Sequence, residues 1–283
     1  MYDMPDMPDM PDMPVIVTRP IRSLSPIIPI SLISQAESLS QRVTAMGRTV
    51  VRFPLLEIHP LTDYSAFDRL LADLSAYALV AFVSPNAIQA TFVRLKNNWS
   101  AKIPIAVMGA GSLAALDELG ITTANTTIYY PHNPDRTDSE TLLDELDIDA
   151  LRHKKVLIIR GETGRELLAD ALRSKGIDVA QIAAYRRTAP EFTSLRQDQL
   201  GRLLQTQNQW VITSSEALQT LLSWTKQLEQ QPGFHGIVAK LQQQHLILPH
   251  ARIAETAKNC GFQSITLTGS GDEHLLVALQ SRL

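Results

Sequence analysis

This chain of 283 residues is short of the features that usually announce a function. It has one cysteine, Cys260. A single thiol cannot form an intramolecular disulfide and fits a reducing compartment. Cys260 precedes Gly261 near a predicted helix end and is read as a packing residue. Basic residues are not in excess: 26 Lys and Arg face 29 Asp and Glu, for a net charge of −3, so no nucleic-acid surface is indicated. No apolar run approaches the ~20 residues that span a bilayer. The N-terminus lacks the basic and apolar regions of a secretory signal. A cytoplasmic protein with no membrane attachment is expected. His59, His132, His153, His235, His245, His250 and His274 are scattered without ligand spacing on one helix face, so no metal site is expected. There is no phosphate-binding Walker loop, no nucleophile elbow and no serine–histidine pair. Gly109-Ala110-Gly111 lacks the third glycine of a dinucleotide fingerprint.

Residues 1–14 repeat Met-Pro-Asp, and proline at every third position denies helix and sheet. This stretch reads as a disordered extension. Its four aspartates carry much of the net charge, so the body is close to neutral. An anionic ligand would therefore be held by local arrangement rather than by a global field.

The body is organised around residues 154–190. A buried-strand run, Val156-Leu157-Ile158-Ile159, leads into a turn with Arg160, Gly161 and Gly164. A helix follows with Leu167, Leu168, Ala171 and Leu172 on one face, and Gly176 stops it. A second strand, Val179–Ala183, runs into Tyr185-Arg186-Arg187. This is a β-turn-α-β unit, whose first turn can present backbone N–H groups to an anion. The start of the body repeats it. Val15–Arg19 matches Val156–Arg160, a helix carries Ala36, Leu39, Val43 and Met46 on one face, and Gly47 matches Gly176. A strand then covers Thr49–Phe53. The first copy is twelve residues longer, and the proline-broken Ser23–Ser34 segment accounts for the difference.

Later segments repeat too. Leu79–Ile88 resembles Trp210–Leu218, each an apolar strand followed by a serine N-cap, Ser84 or Ser214. Ile105–Ser112 and Leu246–Arg252 each open a helix, ending at Gly120 and Gly261. Third strands fall at Thr127–Tyr130 and Ser264–Leu267, each before a polar loop and helix starting near Asp138 and Asp272. The chain therefore holds two copies of a five-strand α/β unit. Continuous apolar strands alternating with helices predict parallel sheets covered on both faces. The copies could be consecutive, or they could exchange halves.

Chemistry in doubly wound sheets gathers at the C-terminal ends of strands. The candidates there are Arg19, Ser84, Asn86, Gly109, Gly111, Ser112, Arg160, Gly161, Ser214, Ser215 and Arg252. Helix N-termini at this edge offer unpaired N–H groups and a positive dipole end. Each serine or glycine taken alone is better explained by capping and turn chemistry. Together on one edge they suit an anion-rich ligand. Tyr185 stands apart: a phenol, protonated at neutral pH with an ordinary pKa of ~10, can serve as a general acid, or it can simply pack at a strand end.

The order and spacing of the motifs resemble the uroporphyrinogen-III synthase family. The matching pieces are VTRP at 17–20, FPLLEI at 53–58, FVSPNAI at 82–88, MGAGSLAALDELGI at 108–121 and DSETLLDEL at 138–146. They continue with LIIRGETGRELLADAL at 157–172, VAQIAAYRRTAP at 179–190, VITSSEAL at 211–218 and RIAETAKNCGF at 252–262. HARIAE at 250–255 is like the bacterial branch with an arginine at that place. The resemblance covers nearly all of 15–283.

It implies two flavodoxin-like α/β lobes that exchange halves, about 15–54 with 188–283 and about 57–185, joined by a two-stranded linker at 53–58 and 184–188. It implies closure of linear hydroxymethylbilane with inversion of the last pyrrole ring and loss of water, without a cofactor. Tyr185 would be the acid that helps the hydroxyl leave. Ser84, Ser112 and Ser214 would be cleft hydroxyls and Arg160 a cleft charge. Ser112 stands where a threonine is common. Ile253 stands where some relatives carry a second threonine, next to Arg252. A monomer, with its substrate handed over by the preceding deaminase, is expected. The competing readings are a two-lobed small-anion binding or sensor protein, and a phosphosugar isomerase-like enzyme.

Overall fold

The computed structural model describes residues 13–22, 35–132, 139–164 and 166–280. The Met-Pro-Asp repeat up to Asp12, the Ser23–Ser34 insertion and Asp138 lie outside them. Among the described residues twelve strands are formed: β1 Val15–Val17, β2 Ile21–Arg22, β3 Val50–Arg52, β4 Glu57–His59, β5 Leu79–Phe82, β6 Ile105–Val107, β7 Ile128–Tyr129, β8 Lys155–Gly161, β9 Asp178–Thr188, β10 Gln209–Val211, β11 His245–Leu248 and β12 Ser264–Leu267.

They make two sheets. The first has the order β12-β11-β10-β1-β3, and all its pairs are parallel. The second has the order β2-β4-β9-β8-β5-β6-β7. Read outward from β8, the run β9-β8-β5-β6-β7 reproduces β3-β1-β10-β11-β12. Both are the 2-1-3-4-5 order of a doubly wound sheet, and the second is permuted in the chain. The first lobe takes β1 and β3 from the start of the chain and the other three strands from its end. The repeat is real, and the copies exchange halves.

Burial follows the strand period. In β1, Ile16 faces one cluster with Phe53, Trp210 and Leu246, while Val15 and Val17 face another with Leu39, Val43 and Leu275. In β8, Leu157 and Ile159 join Phe82 and Ile88, while Val156 and Ile158 join Leu168 and Leu172. Both faces are covered by helices, which is why these strands are continuously apolar. Helix Gln35–Ala45 buries Ala36, Leu39 and Val43 as its spacing predicts. Cys260 is partly buried against the first lobe's core.

Arg48 ties the exchanged segments together. It is buried, and its guanidinium donates to the carbonyls of Leu279 (2.9 Å) and Met13 (2.8 Å) and to Gln209 Oε1 (2.8 Å). Three parts of the chain far apart in sequence thus meet on one planar guanidinium with several donors in fixed geometry.

The two lobes are joined by an antiparallel ribbon. β4 pairs with the end of β9 through Glu57↔Thr188, Ile58↔Arg187 and His59↔Arg186. β9 therefore runs on to Thr188, past the Val179–Ala183 limit expected from its apolar residues. Beyond Tyr185 it leaves the helix-covered sheet for a ribbon, where apolar alternation is no longer needed. The short β2, parallel to β4, has no counterpart in the sequence pattern.

Phe53 closes the first lobe's core at the start of this connection. It is fully buried and lies edge-on to Trp210 and Trp224, with ring centroids 6.1 and 6.0 Å away. Phe53→Ala removes a large buried ring between two indoles and is expected to cost about 3–5 kcal/mol. Urea unfolding followed by tryptophan fluorescence measures it, and a midpoint equal to that of the unaltered protein contradicts this packing.

Candidate active site

The site is built at the point where strand order reverses in the second lobe, between β8 and β5. β5 ends at Phe82, and Ser84 caps the helix Pro85–Leu95, its Oγ accepting from Ala87 N at 3.2 Å. That cap is local chemistry: an extended serine before Pro at the first turn. β8 ends at Gly161, beside Tyr185 on β9. The Tyr185 hydroxyl lies 3.0 Å from Ser84 Oγ, and the ring is 4% exposed. Three residues singled out from sequence, Tyr185, Ser84 and Gly161, thus meet at one point. Half-buried Asn86 follows Ser84 in the same first turn.

The turn after β6 stands next to this group. Gly109 precedes the helix Ala110–Asp117 and Ser112 is buried within it. The position a Cβ on Gly111 would take lies 3.4 Å from Gln35 Nε2 and 3.8 Å from Pro85 Cγ. Gln35 belongs to the first lobe. The same holds at Gly271, where an added Cβ would be 3.9 Å from Ala110 Cβ. The lobes therefore touch across this turn. In the first lobe, Ser214 caps the helix Ser215–Glu229, accepting from Ala217 N at 3.1 Å. Ser215 Oγ is buried with no hydrogen-bond partner. Arg252 is exposed on the helix Ala251–Asn259, and Ile253 beside it is buried.

The two arginines that the repeat places at equivalent strand ends do not join Tyr185. Arg19 forms a two-pronged ion pair with Asp272 and donates to the Gln35 carbonyl at 3.1 Å. Arg160 lies on the other face of β8, ion-paired with Glu166 and donating to Gln181 Oε1 at 2.9 Å. Hydrogen bonds from Gln181 and then from Arg160 hold the Glu166 carboxyl below its ordinary value. Both arginines are anchors in this arrangement rather than open charges.

Sequence reasoning passed over a second group, at the joint. Arg187 donates to the Thr163 carbonyl of the second lobe at 3.2 Å and ion-pairs with Glu216 of the first lobe at 3.1 Å. Its Nε, and that of Arg186, are buried without partners. Thr188 Oγ1 meets His59 Nε2 at 2.9 Å. The doubled arginine after Tyr185 was the available signal. Two concavities of about 230 and 220 Å³ lie along β9, sharing Glu162, Ile182 and Ala183, and Arg186 lines the larger. Neither is lined by Tyr185 or Ser84, which lie at the switch point instead. Both are below the roughly 300–1,000 Å³ of pockets that enclose a drug-sized ligand. Among the described residues, no group of three or more His, Cys, Asp or Glu could hold a metal, and no helix is long and apolar enough to cross a membrane.

A family model described as uroporphyrinogen-III synthase HemD matches residues 37–274. The uroporphyrinogen-III synthase of Salmonella typhimurium is 29% identical over 248 residues, covering 86% of this chain and 95% of that protein. That of Escherichia coli is 28% identical over the same length and coverage. A crystal structure of a mutant uroporphyrinogen III synthase from Thermus thermophilus superposes with a TM-score of 0.54 at 13% identity, covering 95% of this chain and 98% of the other. The uroporphyrinogen-III synthetase of Helicobacter pylori gives 0.54 at 15% identity, covering 95% and 99%. These structures share the fold.

Two outcomes follow from the local geometry. Ser214→Ala removes an N-cap and is expected to lower stability by about 1 kcal/mol; thermal unfolding checks it, and no change contradicts the capping geometry. Glu166, with its folded pKa depressed, contributes stability that is complete above the unfolded glutamate range and lost as pH falls through the folded value. Glu166→Gln should therefore flatten the acid limb of the stability profile, and an unaltered limb contradicts the Arg160 clamp.

Proposed function

Because the chain belongs to the uroporphyrinogen-III synthase family, we propose that it converts hydroxymethylbilane to uroporphyrinogen III with Tyr185 as the proton donor. The observation that carries this reading is the Tyr185 hydroxyl held 3.0 Å from Ser84 at the strand-order reversal. A phenol O–H can deliver its proton to the hydroxyl that leaves. The departing group takes the Tyr185 proton and goes as water, leaving an azafulvene at the end of the linear tetrapyrrole. Ring closure with inversion of the last pyrrole passes through a spiro species and ends with loss of a ring proton. The sum is isomerising closure minus one water, with no net redox change, so the balance calls for no cofactor.

The substrate carries eight carboxylates. Recognition falls to backbone N–H groups and hydroxyls at strand ends: Asn86, Gly109, Gly111 and Ser112, then Ser214 and Ser215 from the facing lobe, with Arg252 at the margin, while the Ser84 hydroxyl is taken up by Tyr185 and Ala87 N. N–H groups at helix starts hold carboxylates without a desolvated counter-charge. Arg19 and Arg160 act one step back, fixing the turns that carry these groups. We take the lobes as residues 15–54 with 188–283, and 57–185, linked at 53–58 and 184–188. They part to admit the substrate and close to hold one folded shape, excluding water and simple closure. The protein works as a cytoplasmic monomer that receives its substrate from the preceding deaminase.

The test is a coupled assay with hydroxymethylbilane generated in place and the product isomers separated after oxidation. Isomer III should dominate with the protein and isomer I without it. Isomer I in both reactions overturns the synthase reading and leaves a two-lobed anion-binding protein in its place.

A further inference from the structure

We infer that Gly161 and Ser84 are positioning residues that aim the Tyr185 phenol, Gly161 by lacking a side chain and Ser84 by its hydroxyl. The inference rests on the reading of Tyr185 as proton donor and assigns Gly161 a role other than ligand contact.

Strand alternation alone would point Tyr185 the wrong way. Along β9, Ala180, Ile182 and Ala184 face the cluster containing Phe82 and Ile88, while Val179 and Gln181 face the side of Arg160. Tyr185 should return to the Arg160 side. Instead the β8–β9 register slips by one: Arg160 pairs with Ala183, and Gly161 with Tyr185. The extra residue turns Tyr185 onto the same face as Ala184, where it reaches Ser84. Such slips re-aim side chains beside active sites. Glu162 N donates to the Tyr185 carbonyl at 2.8 Å and fixes the slipped register.

The turned ring lies over Gly161. A Cβ there would stand 3.0 Å from Cζ, 3.1 Å from the hydroxyl oxygen and 3.2 Å from Cε2. The glycine is not needed for backbone freedom, since Gly161 is not among the residues with positive φ. What the position requires is the absent side chain. At its far end the phenol meets Ser84 Oγ, itself held by Ala87 N. The ring is thus bounded at its face by Gly161 and at its tip by Ser84.

The other lobe supplies an internal comparison. Ile21 N donates to the Leu56 carbonyl at 3.2 Å, as Glu162 N does to that of Tyr185. Leu56 is therefore the counterpart of Tyr185, and the counterpart of Gly161 in the repeat is Pro20. Where the chain carries no phenol, the position equivalent to Gly161 carries a side chain.

The experiment combines kinetics with tyrosine Cζ-labelled NMR on the full chain. The Tyr185 resonance is assigned by its loss in Tyr185→Phe. Gly161→Ala is expected to shift that resonance and to lower kcat about 10- to 100-fold, as misplacement of a catalytic group does, with little change in KM. In the Tyr185→Phe background the same substitution should cost about two-fold or less, because it acts through the phenol. Should Gly161→Ala fail to fold, Ser84 carries the test: Ser84→Ala should shift the resonance and lower kcat only when Tyr185 is present, and Ser84→Thr should restore most of that loss. An unmoved resonance, or an equal cost in both backgrounds, overturns the inference. A moved resonance with Tyr185→Phe turning over at the full rate supports the placement and overturns the proton-donor reading instead.

Discussion

β9 pairs in two ways within its 11 residues. Its first part runs parallel to β8 inside a helix-covered sheet, and its last three residues run antiparallel to β4 in the joint between the lobes. A strand that changes partner must absorb the change somewhere, and here the register slips at Tyr185, where one pairing gives way to the other. The constraint that joins the lobes thereby also turns the phenol toward Ser84. Site geometry and lobe connection are set by the same few backbone hydrogen bonds, so a change in the joint cannot leave the site untouched.

Charge is arranged with equal economy. The strand-end arginines of the repeat are both engaged within the protein, Arg19 with Asp272 and Arg160 with Glu166 and Gln181. Arg187 spans the lobes through Glu216 and Thr163. On the proposed function, a cleft built this way would hold a polycarboxylate through many oriented N–H groups of modest strength. Such groups do not need to be stripped of tightly held water before each turnover, and they favour one folded shape over a loosely held chain. Open arginines would bind every conformer of a flexible anion nearly alike.

The sequence exposes those parts of the structure that rest on periodic burial. The two five-strand units, the correspondence of β1 to β8 and of β10 to β5, and the helix face of Ala36, Leu39 and Val43 all follow from apolar runs and glycine stops. Ser84 and Ser214 were legible as caps because capping is local. The rest depends on contacts between distant residues. The slip at Tyr185 leaves no mark on hydrophobic pattern, since Ala183, Ala184 and Tyr185 read as an ordinary strand. Gly161 looked like a glycine that lets a ligand approach the backbone, and its neighbour is a ring on the next strand. Arg160 looked like an open charge because its partners, Glu166 and Gln181, are brought to it by a turn and by that same strand. β2 and the continuation of β9 to Thr188 left no mark in the apolar pattern because the ribbon's half-buried positions are arginines, Arg186 and Arg187, and only the family resemblance implied a two-stranded linker there.

The central claim is that a phenol placed by this register slip gives up the proton that frees water from the substrate. Single-turnover reaction of preformed hydroxymethylbilane with Tyr185→Phe tests it most directly, because product release cannot mask the chemical step. The account predicts a loss of about 100-fold or more in that step, the size expected on removing a general acid, with substrate affinity nearly retained. A rate equal to that of the unaltered protein would contradict it.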